Sequence, residues 1–109
     1  MADRVKYHSN LYLGNDISSK KLDKIIKKLH DKPLFCNSYL IALAENQYDQ
    51  LEIFRANQLA QKYYEKYPVY VVGIASDYDD AVALVERIVK ECLQSRGDCN
   101  IKEFLLCPL

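Results

Sequence analysis

Three short stretches hold residues whose types and spacing could do chemistry. In GNDISSKK, residues 14–21, Gly14 and Lys20 stand at the spacing of a phosphate loop, G-x-x-x-x-G-K-[ST]. Ser19 occupies the place of the second glycine and Lys21 that of the metal-binding hydroxyl, so the nucleotide-loop match fails. A plainer anion site survives that failure. Ser18, Ser19 and the first-turn amides can hold a phosphate or carboxylate, with Lys20 or Lys21 neutralising it. Lysines this close to a helix start are mildly unfavourable unless an anion is near. An ordinary capped helix accounts for the same residues.

The second stretch is VVGIASDYDD, residues 71–80. Ser76 and Asp79 have the S-x-x-D form of a capping box, and Asp77, Asp79 and Asp80 crowd the first turn, where a helix offers partial positive charge. Three carboxylates make this helix start a poor phosphate cradle. A hard cation is the alternative ligand, but D-x-D-D lacks the ligand series and closing Glu of an EF-hand. Capping explains all four residues.

The third set is Cys36, Cys92, Cys99 and Cys107. The last three are spaced C-x6-C-x7-C, with no C-x2-C knuckle and no nearby His, so reduced packing thiols are expected and no metal. His8 falls in a polar N-terminal segment and His30 at a helix end; neither has an adjacent Ser or Cys that would pair nucleophile with base. No catalytic residue and no cofactor are therefore expected.

Two broader features remain. Lys20, Lys21, Lys24, Lys27, Lys28 and Lys32 give one helix a basic face opposed locally by Asp23 and Asp31 only. Such a face can track phosphates, but it contains no Arg and no interleaved aromatic, so base reading and stacking have no visible apparatus. Acids at Glu45, Asp49, Glu52 and 77–80 complement it in a second copy or another protein. The chain has nine tyrosines, of which Tyr63, Tyr64, Tyr67 and Tyr70 cluster around Pro68. Tyrosine suits protein interfaces because its ring buries area while its hydroxyl stays hydrogen-bonded, and it also packs ordinary sheet–helix boundaries.

The elements that must position these groups follow from periodicity. NLYLGN reads as a strand and turn. Leu22, Ile25, Ile26 and Leu29 recur at i, i+3, i+4 and i+7, predicting a helix capped by Ser18 or Ser19 and stopped at or before Lys32 by Pro33. SYLIALAE and VYVVGIA are apolar enough for strands buried on both faces. ENQYDQ is a polar connector. QLEIF alternates and reads as a strand hairpinned onto its predecessor, with a helix from Leu51 as the rival reading. ANQLAQKYYEKY reads as a second helix stopped by Pro68. SDYDDAVALVERIVKECLQSRG reads as a long helix with Ala81, Leu84, Val85, Ile88, Val89 and Cys92 inward and Gly97 near its end. NIKEFLLC closes the chain as a short helix.

The expected fold is thus a single α/β (α+β) layered sandwich over residues 10–109, in the order β-α-β-β-α-β-α with a short C-terminal helix, behind a loosely held segment 1–9. The first six elements match a ferredoxin-like order. That fold places its second and fourth strands at the edges, yet those are the most apolar here. A mixed sheet with the Glu52 strand at one edge accounts for the burial better.

At 109 residues the chain is sized for one core, and fifteen bases balance fifteen acids. Zero net charge gives no reason to expect a nucleic acid or an anionic membrane and does little to keep copies apart. MADRVKYHSN has no apolar h-region and no apolar run approaches a bilayer span, so a cytoplasmic protein is expected. At YLIALAENQYDQLEIF, QKYYEKYP and VVGIASDYDDAVALVERIV the chain resembles a family of small uncharacterised proteins from anaerobic Gram-positive bacteria. The resemblance implies a small bacterial cytoplasmic protein and carries no catalytic residue. Three functions follow as expectations. The first is non-enzymatic binding of a protein partner or a second copy. The second is binding of a small phosphorylated or carboxylated anion at Gly14–Lys21. The third is weak nucleic-acid binding through the lysine face.

Overall fold

The two most apolar segments form the middle of the sheet. In a computed structural model, which describes residues 5–44 and 50–106, a four-stranded sheet has the order β1-β4-β2-β3. The elements are β1 (Val5–Leu13), α1 (Ser19–Asp31), β2 (Tyr39–Leu43), β3 (Leu51–Arg55), α2 (Tyr63–Lys66), β4 (Val69–Ala75), α3 (Tyr78–Arg96) and α4 (Ile101–Leu106). β2 lies antiparallel to both β3 and β4, and β1 runs parallel to β4. The sheet is therefore mixed, with Glu52 on an edge strand. The ferredoxin-like alternative does not hold, because it would put β2 and β4 outside.

Helices cover both faces, which is why the central strands need no polar alternation. On one face Leu40, Val71 and Ile74 pack with Ile17, with Ile25 and Leu29 of α1, and with Ala56 and Leu59. On the other, Ile41 and Val72 pack with Leu84, Ile88 and Cys92 of α3 and with Ile101 and Leu105 of α4. Each fully buried aliphatic side chain of this kind contributes about 1.5–3 kcal/mol, so these two layers are the main source of stability.

Both long helices end as their sequences require. Ser18 caps α1 by accepting a hydrogen bond from the Lys21 N–H, and Lys32, before Pro33, closes it. Gly97 ends α3 in the left-handed region at φ 78°, where a residue without Cβ is unstrained. Two expectations change. The segment 56–67 is not one helix: a 3-10 turn over Ala56–Ala60 is followed by extended Gln61 and then the short α2. Ala56 and Leu59 are both buried, and a repeat of three residues per turn keeps them on one side. Residues 5–9, read as part of the loose N-terminal segment, belong to β1, with Val5 buried. Polar His8, Ser9 and Asn10 fit there because the register slips between Tyr7↔Val71 and Tyr12↔Gly73, so this part of β1 bows away from its partner. QLEIF forms its hairpin strand, which removes the rival helix. Most of the polar connector, 45–49, lies outside the described residues, with Glu45 and Asp49 in it.

Candidate functional site

β1 and β4 are parallel neighbours, yet α1 leaves β1 toward one face and α3 leaves β4 toward the other. Chain connections therefore diverge at the carboxyl ends of these strands, the topological switch point at which open α/β sheets bind ligands. Gly14 and Asn15 stand on one side of this end and Ser76 and Asp77 on the other; the Gly14 N–H donates to the Ile74 carbonyl at 2.9 Å.

The crevice itself is filled by a carboxylate of the chain. Asp80 accepts from the Asn15 N–H at 3.2 Å, the Ser76 N–H at 3.3 Å and the Ser76 hydroxyl at 3.4 Å. Its own N–H donates to the Asp77 carboxylate at 2.7 Å. Asp77, not Ser76, is thus the α3 cap, one residue later than the expected capping box. The shift frees Ser76 to bind Asp80. The two acids are engaged as cap and bridge, and a neighbouring depression lined by Asp80 and Arg87 is only about 160 Å³.

A larger opening lies on the α1 side. A groove of about 510 Å³ runs along α1 between its lysine face and the Cys36–Ser38 segment, with Ser76 at its sheet end. Most of its wall is apolar, and since Ile25 and Cys36 are both buried, the methylene stems of the lysines supply much of that surface. Asn37, Ser38 and Ser76 offer neutral hydrogen-bonding groups. Lys21, Lys24, Lys27, Lys28 and Lys32 line it with Asp31 as the acid among them. A helix without an acid in its first turn adds its own positive end to this field. Lining charges of one sign along a concave, low-dielectric wall focus potential and concentrate anions, and lysine holds phosphate as a mobile point charge.

The sequence-derived anion residues separate. Lys21 lines the groove, Ser18 is occupied as the cap, and Ser19 and Lys20 are exposed outside the lining. The lysine row was visible in the sequence. Asn37, Ser38 and Ser76 were not, since nothing local to any of them marks a site.

The tyrosines divide as well. Tyr63 contacts Tyr64 and Tyr67 with ring centroids 5.1 and 5.0 Å apart, and Tyr64 stacks on Phe54 at 6.3 Å. Tyr63 and Tyr67 are 53% and 45% exposed. Tyr70 instead packs toward the α3–α4 layer and bonds His8 Nδ1 through its hydroxyl at 2.9 Å. Tyr63, Tyr64 and Tyr70 border a depression of about 930 Å³.

Cys36 and Cys92 are free and buried, Cys99 is free and exposed, and Cys107 lies outside the described residues. The Cys92 thiol donates to the Asp98 carbonyl at 3.3 Å, and burial pushes its pKa up, away from nucleophilic use. The hydrogen bond from Arg96 holds the Asp98 carboxyl below its ordinary range. Among the described residues, no group of three or more His, Cys, Asp or Glu side chains could hold a metal, and no helix is long and apolar enough to cross a membrane. Comparison with known proteins finds no family model, no curated protein and no solved structure that matches this chain.

Proposed function

We propose that the chain is a binding protein for a small phosphorylated or carboxylated compound, held in the groove beside α1. The observation that carries this reading is the groove of about 510 Å³ lined by Lys21, Lys24, Lys27, Lys28 and Lys32. Ligand sites of small molecules occupy about 300–1,000 Å³, so the size fits. The bound anion sits beside α1, and the Gly14–Asn15 turn keeps Asp80. The reading needs no catalysis. Titration calorimetry with phosphate and citrate, on the wild type and on Lys24→Glu/Lys28→Glu, tests it. Saturable heat lost in the double variant supports it; wild-type protein that binds neither anion rejects it.

A second reading, binding of a protein partner or a second copy, draws on Tyr63 and Tyr67, whose rings meet at a tilt of 35° and are about half exposed. Sedimentation velocity across a concentration series decides it for the second copy. A dimer that Tyr63→Ser/Tyr67→Ser dissociates supports self-association, and a wild-type monomer at every concentration removes it.

A further inference from the structure

We infer that the compound bound beside α1 carries two or more phosphoryl groups set along the helix, as in a pyrophosphate or tripolyphosphate compound; this rests on the anion-binding reading above. The lining lysines begin in the first turn, at Lys21, and end at the C-cap, Lys32. At 1.5 Å per residue they span about 16 Å of helix. One tetrahedral phosphate meets the ammonium groups of a single turn. It leaves the others facing like charges three and four residues away, an arrangement that weakens a helix. Anionic groups distributed along the groove relieve that repulsion over its whole length, and Asp31 alone does not.

The lining also excludes other compounds. Among the described residues it holds no Arg fork, which is the better match for a carboxylate's two coplanar oxygens, and no aromatic ring on which a base could stack. Lysines are point charges that suit the spherical symmetry of phosphoryl groups. Asn37 and Ser38 face them with neutral groups that can satisfy bridging and ester oxygens without adding charge, while Ser76 gives its amide and hydroxyl protons to Asp80. The ligand is thus recognised by its chain of charges rather than by a ring.

The test is titration calorimetry of the full chain at low ionic strength with inorganic phosphate, pyrophosphate and tripolyphosphate. Affinity is expected to rise by about tenfold at each step. Lys21→Glu and Lys32→Glu, at opposite ends of the groove, are each expected to weaken tripolyphosphate by about tenfold and phosphate by less than about threefold. Lys90→Glu on α3 lies outside the groove and leaves both unchanged. Three equal affinities would overturn the inference while leaving a single-anion site in place. Citrate binding as tightly as tripolyphosphate would replace phosphoryl by carboxylate recognition, and an equal loss from Lys90→Glu would reduce the effect to general charge; either sinks the proposal. Failure of the three phosphates with citrate still bound overturns this inference alone, and failure of all four anions to bind removes the parent reading with it. Every substituted lysine is exposed, so the variants are expected to fold, and unchanged circular dichroism checks this.

Discussion

The two strand-to-helix junctions at the carboxyl end of the sheet are built from the same parts and are charged in opposite senses. After β4, Asp77 caps α3, and Asp79 and Asp80 sit in its first turn. After β1, the neutral Ser18 caps α1, no acid follows in the first turn, and lysines do. The α3 junction answers its helix dipole from within, and Asp80 reaches across to answer the amide of Asn15 too. Acids at one helix start close that half of the switch point from within, while the start of α1 carries lysines instead.

The largest expected effect breaks the bridge between the junctions. A Cβ at Gly14 falls on the Asp80 carboxylate. Gly14→Val is expected to lower stability by about 2 kcal/mol in urea unfolding. Because both changes disrupt one contact, Gly14→Val with Asp80→Ala should cost less than the sum of the two alone; additive losses would separate the junctions.

Next come the caps. Ser18→Ala and Asp77→Ala are each expected to cost about 1 kcal/mol. Asp77→Ala should be the larger, since it loses a charged acceptor at 2.7 Å where Ser18 offers a neutral one at 3.2 Å. Equal losses would mean that charge at the helix start matters little here. A smaller effect has the opposite sign. Lys21→Glu gives α1 the acid that α3 already has, so it should raise stability by about 0.3–0.5 kcal/mol while weakening anion binding. A variant both less stable and unaltered in binding contradicts the contrast.

The last effect is silent at neutral pH. Tyr12, two residues before Gly14, donates to Glu91 of α3 at 3.0 Å, and burial, then that bond, pushes its pKa up to about 12. The fold favours the neutral phenol, so its contribution is whole below the ordinary value of 10 and fades as pH climbs toward 12. Absorbance titration should show a late phenol that ionises earlier in Glu91→Gln.

Much of this was legible in the chain and some was not, for physical reasons. Ile25 and Leu29 announced the inner face of α1, and the unbroken apolarity of residues 39–43 and 69–75 announced central strands, because burial on both faces leaves a pattern inside a single segment. The lysine side of the groove was visible for the same reason. Its other wall was not: Ser76 joins Asn37 and Ser38 beside α1 only once β4 lies beside β2. The division of 56–67 escaped because Ala56 and Leu59 fit either helical period. The strand character of residues 5–9 escaped because a bowed edge admits polar residues that periodicity counts against a strand.

That bowed edge also bears on the order in which the molecule assembles. Among the described residues β1 pairs with β4 and with no other strand, Val5 set against Val69, while β2 and β3 are joined through a short connection. A chain made from its N-terminus delivers β1 first and its neighbour last, after the hairpin has had time to close. The parallel pairing joins Val5 to Val69 across much of the chain, so it is expected to close after the local hairpin. In the finished sheet β1 is an edge strand, a template for any passing strand. The slip between Tyr7 and Tyr12, with exposed Ser9 and Asn10, shortens the straight run such a stranger could match. The irregularity that hid this strand from sequence reading thus guards the folded edge against pairing with another chain.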